Sequence, residues 1–166
     1  MKKGLLALFF MVLSANLARA QSVDERRMNL IKGFLHDMHE TEMDAREIGE
    51  KYIWFGQARD TEMSEKHERL KQHLEYLRAG AKDCVNCEEC QNCKIIFKET
   101  QHKIIPYTDL SEIPHVNFDR AEEEIKDNIY VLAEGQKALQ YFYLRDGKIA
   151  SFYYVEKGGT PFFLMY

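Results

Sequence analysis

The sequence predicts an α+β protein, with about three N-terminal helices packed on a C-terminal, curved antiparallel sheet of four to six strands. Three observations predict it. Apolar residues recur at helical spacing up to about Ala79 and at strand spacing later in the chain. Asp146-Gly147 separates two β-rich runs, as in a two-residue type I′ hairpin. Ten of the twenty aromatic residues fall within 128–166, and aromatic side chains favour strands.

In order along the chain, residues 1–20 read as a signal peptide. Lys2 and Lys3 form a basic start, Gly4 to Leu13 is an uncharged apolar run, and Ala18-Arg19-Ala20 offers small residues for cleavage before Gln21. The run is shorter than the ~20 residues a membrane span needs. Residues 21–166 then form one domain of a size that suits a single core. The expected location is exported, periplasmic or extracellular, with no stable membrane insertion.

Ser22-Val23-Asp24-Glu25 is a capping box, and Leu30, Ile31, Phe34, Leu35 and Met38 follow on one helical face. A second helix is expected from near Thr41, with Met43, Ile48, Tyr52 and Ile53 inward. A third is expected from Thr61 to Ala79, with Met63, His67, Leu70, Leu74 and Leu77 on its inner stripe and Gly80 as the stop. His73 falls on its surface side.

The strands come next. Lys94–Lys98 and His102–Tyr107 are short β-type runs, and Asp119–Asp127 is a short helix or turn. Asn128–Ala133, Ala138–Leu144, Lys148–Glu156 and Thr160–Met165 are stronger runs. The Asp146-Gly147 turn sets Leu144 opposite Ile149 and Phe142 opposite Ser151. Leu139, Tyr141, Tyr143, Ala150, Phe152 and Tyr154 then share a face expected to meet the helices. The other face carries Phe142, Leu144, Ile149, Tyr153 and Val155, which is apolar for a solvated surface and makes an expected interaction face. Element order and length resemble the cystatin-like or nuclear-transport-factor-2-like cone, in which helices lie in the concave side of a curved sheet. The resemblance transfers no residues.

Without residues 1–20, which hold three of the 23 basic side chains and no acidic one, 20 Lys+Arg face 27 Asp+Glu, a net charge of −7. An acidic surface argues against nucleic acid and anionic lipid. The expected partner is a small ligand or a protein, a second copy of the chain included.

All four cysteines lie in one run, Cys84, Cys87, Cys90 and Cys93, spaced C-x2-C-x2-C-x2-C. On a helix this spacing would rotate each thiol by about 60° from the last, so a loop suits convergence better. In an oxidising compartment two disulfides are the first expectation, with pairing left open. Thiolate binding of zinc or copper is the alternative. The last spacing and Lys94 do not fit a ferredoxin-type cluster, and no C-x-x-C-H occurs for haem. His36 and His39 form a weaker metal pair, without an evident third ligand. His102 and His115 have no partner evident from spacing. No G-x-S-x-G elbow, P-loop or G-x-G-x-x-G is present, and Gly158-Gly159 reads as a turn. The expectation is a non-catalytic binding module with no cofactor. The rival reading is an enzyme with its active site between sheet and helices.

Overall fold

The computed structural model describes residues 23–39, 43–56, 60–79, 97–118 and 123–166. The expected signal peptide, the Ser22 cap, Thr41, Gly80 and all four cysteines lie outside these residues. Helix α1 covers 23–39, α2 Ala45–Tyr52 and α3 Asp60–Ala79. Helix α2 starts at a capping box three residues on from the expected Thr41. The Asp44 carboxylate accepts from Arg46 N and Glu47 N at 2.8 and 2.9 Å, and Glu47 Oε2 accepts from Asp44 N at 2.9 Å.

Strand β1 is His102–Pro106, followed by a 3₁₀ turn at Tyr107–Asp109 and the short helix α4, Glu123–Lys126. Then come β2 (Ile129–Glu134), β3 (Lys137–Arg145), β4 (Lys148–Ser151), β5 (Tyr154–Lys157) and β6 (Thr160–Phe163). The first four pair antiparallel in the order β1-β2-β3-β4, and β5-β6 is a separate two-stranded sheet. The fold is α+β, as the change of periodicity requires.

The Asp146-Gly147 turn forms with both residues at positive φ, 49° and 73°, the type I′ signature. Gly158 and Gly159 make the equivalent turn between β5 and β6, at φ 61° and 73°. Leu144 pairs with Ile149 as expected. Ser151, however, pairs with Tyr143 rather than Phe142, because the register shifts between Tyr143 and Leu144. A bulge adds one residue on one strand only, which a turn at the far end cannot reveal.

Two other expectations are corrected. Phe97 and Lys98 have no strand structure. The run 148–156 is two strands, broken at Phe152 and Tyr153, so β5 leaves the main sheet.

Of the residues expected to meet the helices, Phe152 and Leu139 do so, whereas Tyr141, Tyr143 and Tyr154 lie on the opposite side. Phe142, Leu144 and Ile149 are 1%, 2% and 0% exposed and pack with Ile31, Phe34, Ile48, Leu70 and Leu74. The expected outer surface is thus the helix-side core. The other face, with Ile129, Val131, Tyr141 and Tyr143, is covered by residues 107–118 and the β5-β6 hairpin. Strand β2 is buried at every position but its last, as a central strand roofed on both sides must be. Both faces are apolar. Alternation tells which residues share a face but not which layer lies over it.

Candidate functional site

Three short contacts shape the surface where α2, α3 and the sheet edge meet. The chain leaving α2 joins the edge of β4: Ile53 bridges Ile149, and Trp54 N donates to Ile149 O at 2.9 Å. Gly49 lets the neighbouring layers close up, since a Cβ there would come within 3.0 Å of both Leu70 and Phe55. The Phe55 ring then stacks on His67 of α3, with centroids 4.8 Å apart and planes 29° apart.

These contacts leave an open groove of about 960 Å³ between α2 and α3. Its apolar part is Phe55 and Met63, with His67 beside them. Its walls alternate in charge: Arg46 and Glu50 on α2, Lys71, Glu75 and Arg78 on α3, and Lys148 from the sheet. Several of these charges are engaged. Arg46 Nε bonds Glu50 Oε1 at 2.9 Å, and Lys148 Nζ donates to Glu50 O at 2.8 Å. Arg78 donates to Met38 O at 2.8 Å and Met43 O at 2.9 Å, tying α3 to the two ends of the α1–α2 connection. Lys71 and Glu75 are exposed along the groove. The arrangement offers apolar contact and charges of both signs.

Within the groove the hydrogen bond to Glu50 raises the Arg46 pKa, and the other groups with displaced proton affinities lie elsewhere in the fold. Asp37 accepts from Lys51 Nζ at 2.7 Å and Tyr52 OH at 2.6 Å, which holds its carboxyl down at about 2. Burial, then the hydrogen bond to Asp24, pushes the Tyr130 hydroxyl up to about 12. Arg27 closes that network by donating to Asn128 Oδ1 at 2.7 Å, so α1 is pinned to the start of β2. Burial first, then the neighbouring Tyr141 and Glu156, lifts Tyr154 to about 12.

Among the described residues the expected site residues do not assemble into one site. Cys84, Cys87, Cys90 and Cys93 lie outside the described residues. His36 Nδ1 sits 3.2 Å from Asp37 Oδ1 at the end of α1, while Asp37 is taken up by Lys51 and Tyr52. His39 is half-buried on the same helix. Among the described residues no group of three or more His, Cys, Asp or Glu side chains is placed to hold a metal. Of the expected interaction face, Phe142, Leu144 and Ile149 are buried. Tyr153 stacks on His73 at 5.1 Å, and Val155 pairs across the hairpin with Phe162, which is 41% exposed.

Sequence reading missed four roles. His73 is not on the surface but packs against Phe152, Tyr153 and Tyr166. His102 Nδ1 accepts from Lys98 N at 2.8 Å, and His115 Nδ1 donates to Ile113 O at 2.6 Å. Ser151, expected only as a cross-strand neighbour of Phe142, is fully buried and holds the Tyr153 and Leu164 carbonyls at 2.8 and 2.7 Å. Each partner arrives by tertiary contact or loop closure, and no spacing signal marks it.

Among the described residues no helix is long and apolar enough to cross a membrane. In comparisons with known proteins, no family model, curated protein or solved structure matches the chain. The cystatin-like comparison therefore stands on element order alone.

Proposed function

We propose that the protein is an exported, non-catalytic binding module that takes an extended polypeptide segment of mixed charge along the α2–α3 groove. The observation that carries this reading is the groove itself: an open cleft with Phe55 and Met63 as an apolar strip among side chains of both charges. An extended peptide presents alternate side chains to such a strip and backbone polar groups to its walls. The space between helices and sheet, where an enzyme's site was the rival expectation, is filled. Phe34 meets Phe142 and Phe152 there at ring separations of 6.1 and 5.2 Å. Export rests on the signal-type residues 1–20.

Selection from a displayed random-peptide library tests the groove, with Met63→Asp and Lys71→Glu as counter-targets. Both positions border the groove outside the buried core. The expected result is a set of peptides with one aromatic or aliphatic anchor among charges, bound at least ~10-fold more weakly by either variant, a factor worth about 1.4 kcal/mol. No enrichment, or equal binding by the variants, overturns the reading.

The cysteine run supports a second, separate reading. Cys84, Cys87, Cys90 and Cys93 form two disulfides in an oxidising compartment, with four-thiolate zinc or copper as the alternative. Intact mass before and after reduction, with metal analysis of the same sample, separates the two. A gain of about four mass units without metal means disulfides, since each bridge takes up two hydrogens. One stoichiometric metal without a mass change means a thiolate site.

A further inference from the structure

After β6 the chain returns to α3, and that contact is built around a histidine. Leu164 N donates to Tyr153 O at 2.9 Å, and the buried Ser151 hydroxyl reaches Leu164 O at 2.7 Å. These bonds deliver Tyr166 to α3. Its ring is 3% exposed and sits 5.3 Å from Phe152 and 5.5 Å from His73, centroid to centroid. Its hydroxyl lies 2.9 Å from His73 Nδ1. Its carbonyl accepts from Lys66 Nζ at 2.8 Å, and the same ammonium donates to Phe55 O at 2.7 Å. Lys66 therefore ties Tyr166 to the residue whose ring stacks on His67 at the groove.

We propose that the His73–Tyr166 contact is an acid-sensitive latch, in which protonation of His73 frees Tyr166 from α3 while Leu164 stays paired. Among the described residues the charged and titratable groups facing His73 are Arg69 from α3 and the phenols of Tyr153 and Tyr166 from the returning chain. One is a cation and two are neutral at ordinary pH. Lys66 adds a second cation at the Tyr166 backbone oxygen. Among the described side chains an imidazolium formed here gains no carboxylate partner; it loses water and repels Arg69. Burial first, and Arg69 second, accordingly lower the His73 pKa. The sign follows. A docked state with a lowered pKa favours neutral His73, so its contribution is complete above the ordinary histidine value of about 6.5 and is lost as pH falls below it. Burial also raises the Tyr166 phenol well above its usual range, so that group stays neutral throughout.

Proton NMR on the full chain tests the latch. The readouts are the His73 ring-proton titration and the cross-relaxation between the Tyr166 and Phe152 rings, from about pH 7.5 to about pH 4.5. The expected result is a His73 midpoint below the usual histidine value and loss of about half or more of the Tyr166–Phe152 signal with that same midpoint. His73→Phe keeps an aromatic plug that cannot be protonated, and there the signal should persist to the acid end. An unchanged Tyr166–Phe152 signal in the wild type overturns the proposal. So does a midpoint different from that of His73, or the same loss in His73→Phe. Should His73→Phe fail to fold, Tyr166→Phe supplies the comparison. It removes the hydroxyl contact but keeps the ring, and an unaltered His73 midpoint in that variant also overturns the latch.

Discussion

On the helix side of the four-stranded sheet the buried side chains are mainly Phe34, Leu70, Leu74, Phe142 and Ile149. On the far side they include Tyr107, Phe118, Val131 and Tyr141, roofed by an irregular segment and a hairpin. The tyrosine hydroxyls on the two sides do different jobs. Under the helices they reach side chains at the rim, as Tyr52 does to Asp37 and Tyr130 to Asp24. On the far side they satisfy backbone. Tyr107 OH accepts from Phe118 N at 3.0 Å and lies 3.2 Å from Val116 O, while Tyr141 OH accepts from Val116 N at 2.8 Å. A helix meets its own backbone hydrogen bonds and needs only an apolar surface beneath it. A loop laid on a sheet brings unpaired N–H and C=O groups, which something in the sheet must meet. Phe118 adds the apolar half of that arrangement, stacking on Phe163 at 5.1 Å and packing edgewise on Tyr107 and Tyr154 at 5.7 and 5.9 Å.

Phe142 on β3 and Tyr107 in the 3₁₀ turn separate the two modes. Phe142→Ala opens a cavity under the helices and should cost about 3–5 kcal/mol in urea denaturation. A loss below about 1 kcal/mol would mean that the helix layer does not rest on this side chain. Tyr107→Phe keeps the ring but strips a buried amide of its acceptor, at about 1–3 kcal/mol. Hydrogen exchange should quicken at the Phe118 amide and stay unchanged in α3. Equal quickening in both would break the distinction between the faces.

The helix layer's polar anchor gives a smaller, pH-dependent effect. With the Asp37 carboxyl held at about 2, the folded state binds the proton more weakly than the unfolded chain. Stability from this group is complete above the usual carboxylate value near 4 and is lost as pH falls towards 2. Asp37→Asn should cost about 1–2 kcal/mol at neutral pH and about nothing near pH 2. A constant difference across that range would remove the charge from the explanation. The smallest effect belongs to the hairpin's outer surface. Phe162→Ser, at a side chain 41% exposed, should stay within about 0.5 kcal/mol of wild type in the same denaturation series.

Much of this architecture was written in local signals. The α2 and α3 faces, the Asp146-Gly147 turn and the Gly158-Gly159 turn depend on residues a few positions apart, so spacing and glycine chemistry specify them. The α2–α3 groove was not legible. Its parts, Phe55, His67, Lys71 and Lys148, are ordinary residues until the chain after α2 joins the β4 edge and Gly49 admits Phe55.

By itself, then, the sequence determined the succession of helices followed by strands and the glycine turns between strands, because period and backbone freedom are local properties. Only the tertiary structure decided which face the helices cover, where the bulge resets β3 against β4, that β5 leaves the sheet, and that His73 meets Tyr166. An apolar face is satisfied by any apolar cover. Choosing the cover takes contacts between residues tens of positions apart, and no pattern within a single strand or helix encodes them.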